Sequence, residues 1–107
     1  MILGTTPTHI FNVPIDTSTI SDLRIVYGQN DEAILTKKLE DCTLEPKAIR
    51  VRLSQEDTYK FQVKRKYITN HIQVQLRILT TSGDVISSKV MPISIEKCLD
   101  NEVLQWS

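Results

Sequence analysis

The side chains able to do nucleophilic, acid–base or metal chemistry are few and far apart. The chain holds two histidines, His9 and His71, and two cysteines, Cys42 and Cys98. None stands in an HxH, HExxH or CxxC spacing, so no pair is placed by sequence to share a zinc ion. There is no GxSxG elbow and no Cys–His order that marks an activated thiol. The cysteines read as two partly buried free thiols, with a Cys42–Cys98 disulfide as the alternative that geometry allows. Three glycines, Gly4, Gly28 and Gly83, are too dispersed to build a phosphate-cradling loop. The acidic pairs Asp31-Glu32, Glu40-Asp41 and Glu56-Asp57 fall at expected turns or strand ends. Paired acids for glycoside hydrolysis also need a cleft and aromatic platforms, and most of the few aromatics are wanted by a core. The expectation is a protein that is not an enzyme, with no catalytic residue, no metal site and no cofactor.

Two local features still invite a partner. Lys60-Phe61-Gln62-Val63-Lys64-Arg65-Lys66-Tyr67 interleaves the cations Lys60, Lys64, Arg65 and Lys66 with the aromatics Phe61 and Tyr67. That is the chemistry of a phosphate patch with a stacking platform. The plainer reading is a solvated loop at one end of the fold with Phe61, and with it Tyr67, tucked beneath, because Glu56 and Asp57 offset the charge. Trp106, followed only by Ser107, reads either as part of a tail outside the core or as an anchor for a partner.

The elements that must position these residues are strands. The 107 residues read as one domain, 1–107, long enough to bury a core without disulfides or metals. Thirteen basic residues balance thirteen acidic ones, so no global field draws the chain to nucleic acid or an anionic membrane. No apolar run approaches the ~20 residues of a membrane span, and Met1 to Pro7 lacks the pattern of a signal peptide. Neither nucleic acid nor membrane is an expected partner, and folding in the cytosol of the producing cell is expected.

Period-two alternation recurs along the chain. Ile72, Val74, Leu76 and Ile78 fall on one face of a strand, with His71, Gln73, Gln75 and Arg77 on the other. Ile49, Val51 and Leu53 repeat the pattern, as do Leu23, Ile25 and Tyr27. Weaker strands are expected over Thr8–Val13, with Phe11 and Val13 inward, over Ala33–Lys38 after a turn at Gln29-Asn30-Asp31, and over Val85–Met91 after a turn at Ser82-Gly83-Asp84. Pro92 should interrupt the return strand, which points to an edge position, a bulge or a bend there, with Ile93–Leu99 resuming as a last strand. Ser54-Gln55-Glu56-Asp57 is a loose capping box for one short helical turn. Six or seven short strands point to an all-β, immunoglobulin-like antiparallel sandwich rather than a small barrel.

Several stretches taken together resemble small proteins of phages and prophages of Gram-positive gut bacteria. They are Gly4-Thr5-Thr6-Pro7-Thr8 with Phe11 and Pro14, Tyr27-Gly28-Gln29-Asn30, Asp41-Cys42-Thr43, Leu53 to Thr58, Ile72 to Arg77, Gly83, and Leu99-Asp100-Asn101-Glu102-Val103-Leu104. These motifs mark strands and turns and carry no chemistry. Such proteins are similar to the N-terminal β-sandwich domain of siphophage upper baseplate proteins. The segment Gln62 to Asn70 departs from the family in being longer and more basic. The resemblance implies a tail- or baseplate-associated adaptor in the virion, assembled in the bacterial cytoplasm. Other phage structural proteins, or further copies of the same chain, are the partners it implies. Candidate contacts are Leu3, Thr5 and Pro7 of the N-terminal arm and Val103, Leu104 and Trp106 of the tail. A second reading, a small phage-encoded inhibitor or regulator of a host defence or nucleic-acid-handling protein, would use the basic stretch Lys60, Lys64, Arg65, Lys66 and Tyr67.

Overall fold

Alternating apolar and polar residues send every second side chain to the same side of an extended chain. In the computed structural model, which describes residues 1–61, 69–96, 103 and 104, that pattern becomes eight strands. They are β1 (Thr8–Asn12), β2 (Ile20–Gln29), β3 (Glu32–Lys38), β4 (Cys42–Glu45), β5 (Ala48–Arg52), β6 (Thr69–Thr80), β7 (Val85–Ser87) and β8 (Met91–Glu96). One short helix, α1 (Gln55–Tyr59), lies between β5 and β6. Strands β1-β5-β4 form one sheet. The second runs β3-β2-β6, and β7 and β8 share the far edge of β6. All these pairings are antiparallel. The chain is an all-β sandwich, with β2 placed between β3 and β6.

The inner faces are the expected ones. Leu23, Ile25 and Tyr27 of β2 meet Ile72, Val74, Leu76 and Ile78 of β6 within the larger sheet, and all are buried. Ile49 and Val51 of β5, with Leu53 just beyond it, close the core from the smaller sheet. Burying each such side chain is worth about 1.5–3 kcal/mol. Phe11 and Val13 also turn inward, Val13 fully and Phe11 in part.

Local chemistry explains the turns. Asn30 and Asp31 both adopt positive φ, 55° and 63°, and Gln29 pairs with Glu32 across them. Asn and Asp are the non-glycine residues that tolerate this conformation, so the two form the tight turn between β2 and β3. Gly83 (φ 93°) serves the β6–β7 turn, where the Thr80 N–H donates to the Asp84 carbonyl at 2.9 Å. The capping box also forms. Asp57 N–H donates to Ser54 Oγ at 3.0 Å, and Ser54 N–H donates to Asp57 Oδ2 at 2.9 Å.

Two expectations need correction. Among the described residues the strand count is eight because Cys42–Glu45 forms β4. This four-residue strand sets Cys42 against Val51 and Leu44 against Ile49. The break in the return strand falls at Ser88–Val90, before Pro92. There the Ser88 hydroxyl accepts from Leu76 N–H at 2.9 Å, a backbone donor that a continuing strand would otherwise satisfy. Pro92 itself lies inside β8 opposite Gln73, as an edge strand tolerates. Of the expected last strand, Ile93–Glu96 belongs to β8, and 97–99 lie outside the described residues.

Candidate functional site

Polar side chains gather between the sheets from strands that sequence order keeps apart. His9 enters from β1 and Tyr27 from β2. His9 Nδ1 and Tyr27 Oη lie 2.6 Å apart, and the rings sit 5.6 Å apart between centroids. Phe61 packs on the other side of Tyr27 at 6.2 Å. Burial, reinforced by the positive amino terminus, lowers the proton affinity of His9. Burial, with Cys42 and Asp57 nearby, raises that of the Tyr27 phenol. Burial also pushes the Cys42 thiol up to about 11, helped by Asp41. At neutral pH the imidazole, phenol and thiol are therefore all uncharged. Cys42 is a free thiol that donates to the Lys38 carbonyl at 3.3 Å, and a protonated thiol is a poor nucleophile.

Asp57 is the charged member of this region. Burial opposes its ionisation, but the Lys37 ammonium at 2.7 Å and hydrogen bonds with Ser54 outweigh that and hold the carboxyl below its ordinary range. Lys37 comes from β3 and Asp57 from α1, so the ion pair ties the edge of the larger sheet to the helix. The sequence showed Asp57 as a capping acid and as an offset to the nearby basic stretch. Its pairing with a lysine twenty residues earlier depends on tertiary packing.

The N-terminal arm is folded onto the body rather than presented. Leu3 was expected as a contact residue but is only 7% exposed and belongs to the core. The arm adds to β8 in parallel through a bridge between Ile2 and Glu96. Leu3 N–H donates to the Glu96 carbonyl at 2.9 Å, and Glu96 N–H donates to the Met1 carbonyl at 2.8 Å. Buried Thr58 holds the next residues, since its hydroxyl accepts from Gly4 N–H at 2.8 Å. Pro7 is half-buried and its carbonyl accepts from Leu53 N–H, while Thr5 stays exposed.

At the other end, Gln55 clasps the main chain of Leu104 in both directions, at 2.9 and 3.0 Å. Val103 is half-buried, and the Leu104 side chain is 73% exposed. Trp106 and Cys98 lie outside the described residues, as do Lys64, Arg65, Lys66 and Tyr67 of the basic stretch. Lys60 is exposed and 4.0 Å from Asp57, and Phe61 is buried as expected.

A contact through sheet faces was open to sequence reasoning, but the residues of the outer face of the five-stranded sheet were not among its candidates. Leu79 of β6 and Val85 of β7 stand opposite each other there, 38% and 58% exposed. With Asp22, Arg24 and Arg77 they line a shallow depression of ≈ 200 Å³. No family model, curated protein or solved structure matches the chain.

Proposed function

We propose that this chain is a non-enzymatic phage structural protein, a tail- or baseplate-associated adaptor of the virion that acts by protein–protein contact. The observation that carries this reading is the outer face of the larger sheet. Its exposed apolar pair, Leu79 and Val85, sits among charged side chains, where a protein partner would bury apolar area and meet charge together. The interior polar residues fit the same reading, because the histidine, tyrosine and cysteine there are held neutral and partnered. The resemblance to baseplate-domain proteins supplies the virion setting. With the N-terminal arm committed to the fold, the sheet face and the Leu104 side chain become the contact elements.

Quantitative mass spectrometry of purified phage particles, compared with the lysate of the producing bacterium, tests the assignment. Recovery in particles at the copy number of known tail proteins is the expected result. Abundance in the lysate with absence from particles would overturn it in favour of an intracellular inhibitor or regulator.

A further inference from the structure

The strand registers line up three cations on the outer face of the five-stranded sheet. Lys38 of β3 pairs with Arg24 of β2, and Arg24 pairs with Arg77 of β6. Neighbouring strands lie about 4.7–4.9 Å apart, so the three positions span about 10 Å. All three residues are exposed, and none forms an ion pair with another described residue. Like charges set directly opposite each other weaken a sheet. Within the row the three charges repel one another, and a negatively charged partner would offset that repulsion.

The surroundings of the row narrow the partner's chemistry. On one side stands the apolar pair Leu79 and Val85, and Asp22 faces Leu79 in the same rank. On the other side Thr36, Val26 and Gln75 form the next rank. The outward positions of β2, β3, β6 and β7 carry no Phe, Tyr or Trp, so bases would find no aromatic platform there. Asp22 shares the rank of the apolar pair, so negative charge is favoured at the row and disfavoured beside it. A peptide with carboxylates and an apolar side chain satisfies both features. In an extended segment, side chains on one face recur about every 6.6–6.8 Å, so two acidic residues two positions apart reach across the row.

We infer that the outer face of the five-stranded sheet binds an acidic, extended segment of a protein partner, with carboxylates on Lys38, Arg24 and Arg77 and an apolar side chain against Leu79 and Val85. The inference rests on the protein-contact reading above but not on the virion setting.

The test is fluorescence anisotropy with a labelled peptide that alternates glutamate with leucine and threonine. Its controls are the lysine counterpart of that peptide and a labelled oligothymidine. The expected result is saturable binding of the acidic peptide that weakens as salt rises. In the double variant Arg24→Gln/Arg77→Gln the Kd should rise tenfold or more. A control variant, Lys47→Gln/Lys89→Gln, should bind as the unmodified protein does, and so should the charge-keeping Arg24→Lys/Arg77→Lys. Removing the repulsion should leave the melting temperature of the Gln variant unchanged or higher. Absence of saturable peptide binding overturns the inference, as does an equal loss in the control variant. Binding of oligothymidine without the peptide would replace it with a phosphate surface. Recovery of the protein in particles without peptide binding would sink this surface alone and leave the contact role standing.

Discussion

Tyr27 shows how one side chain can join the two layers of the sandwich. Its ring is fully buried while its hydroxyl meets His9 on the facing sheet at 2.6 Å. Tyr27→Phe keeps the ring packing and strands the imidazole, and should cost about 1–2 kcal/mol, read from urea denaturation with an unchanged slope. The same pair sets a pH dependence. The folded-state pKa of His9 lies below its ordinary 6.5, so just below that pH the unfolded chain binds more protons than the folded one. The contribution is complete above pH 6.5 and declines on acidification through the window beneath it. Asp57 adds a separate loss. Its carboxyl is held below 3.8, so its stabilisation is present above that value and disappears as pH falls through the folded-state value. Denaturation midpoints across pH should therefore show two acid-side declines, and His9→Gln should remove the first and keep the second.

Among the elements, what was legible in the sequence was local and what was not depended on distant partners. The capping box at Ser54 and Asp57, and the turns at Asn30-Asp31 and Ser82-Gly83-Asp84, are decided by neighbours a few residues apart. The alternation in β2, β5 and β6 likewise states which face is buried. β4 is too short to announce itself and exists because β5 lies beside it. The break at Ser88 depends on the Leu76 backbone across the ladder, whereas Pro92 marks the edge position of β8 and not the break itself. The N-terminal arm was misread for the same reason, because its apolar residues are satisfied by β8 and Thr58, far along the chain. Leu3→Ala should consequently destabilise the fold by about 2–5 kcal/mol, as core truncations do. Leu104→Ala, at an exposed side chain, should change stability by less than about 0.5 kcal/mol. Thermal or urea unfolding of the two variants side by side distinguishes a core arm from a presented one. Thr58→Val, which leaves the Gly4 N–H without its acceptor, should cost about 1–3 kcal/mol by the same measurement.

Across the whole molecule, the candidate surface emerges only when the strands are put in register. Arg24, Lys38 and Arg77 are scattered over more than fifty positions and read singly as solvated charges. Pairing β3 with β2 and β2 with β6 turns them into a row, with Leu79 and Val85 alongside. Alternation along a strand says which residues face outward but not which of them become neighbours. That is why the sequence directed attention to the basic stretch Lys60–Tyr67 and the two termini instead. The proposed adaptor role would use this outer face, rather than the committed N-terminal arm, to hold another protein.

Zero-length carbodiimide cross-linking of purified particles, followed by peptide mass spectrometry, tests that claim most directly, because it joins a lysine only to a carboxylate in contact with it. The account predicts a cross-link from Lys38 to an aspartate or glutamate of another virion protein, lost when Arg24 and Arg77 are both changed to glutamine. A Lys38 that stays unlinked while Lys47 and Lys89 react with neighbours, or a protein missing from the particles, would contradict it.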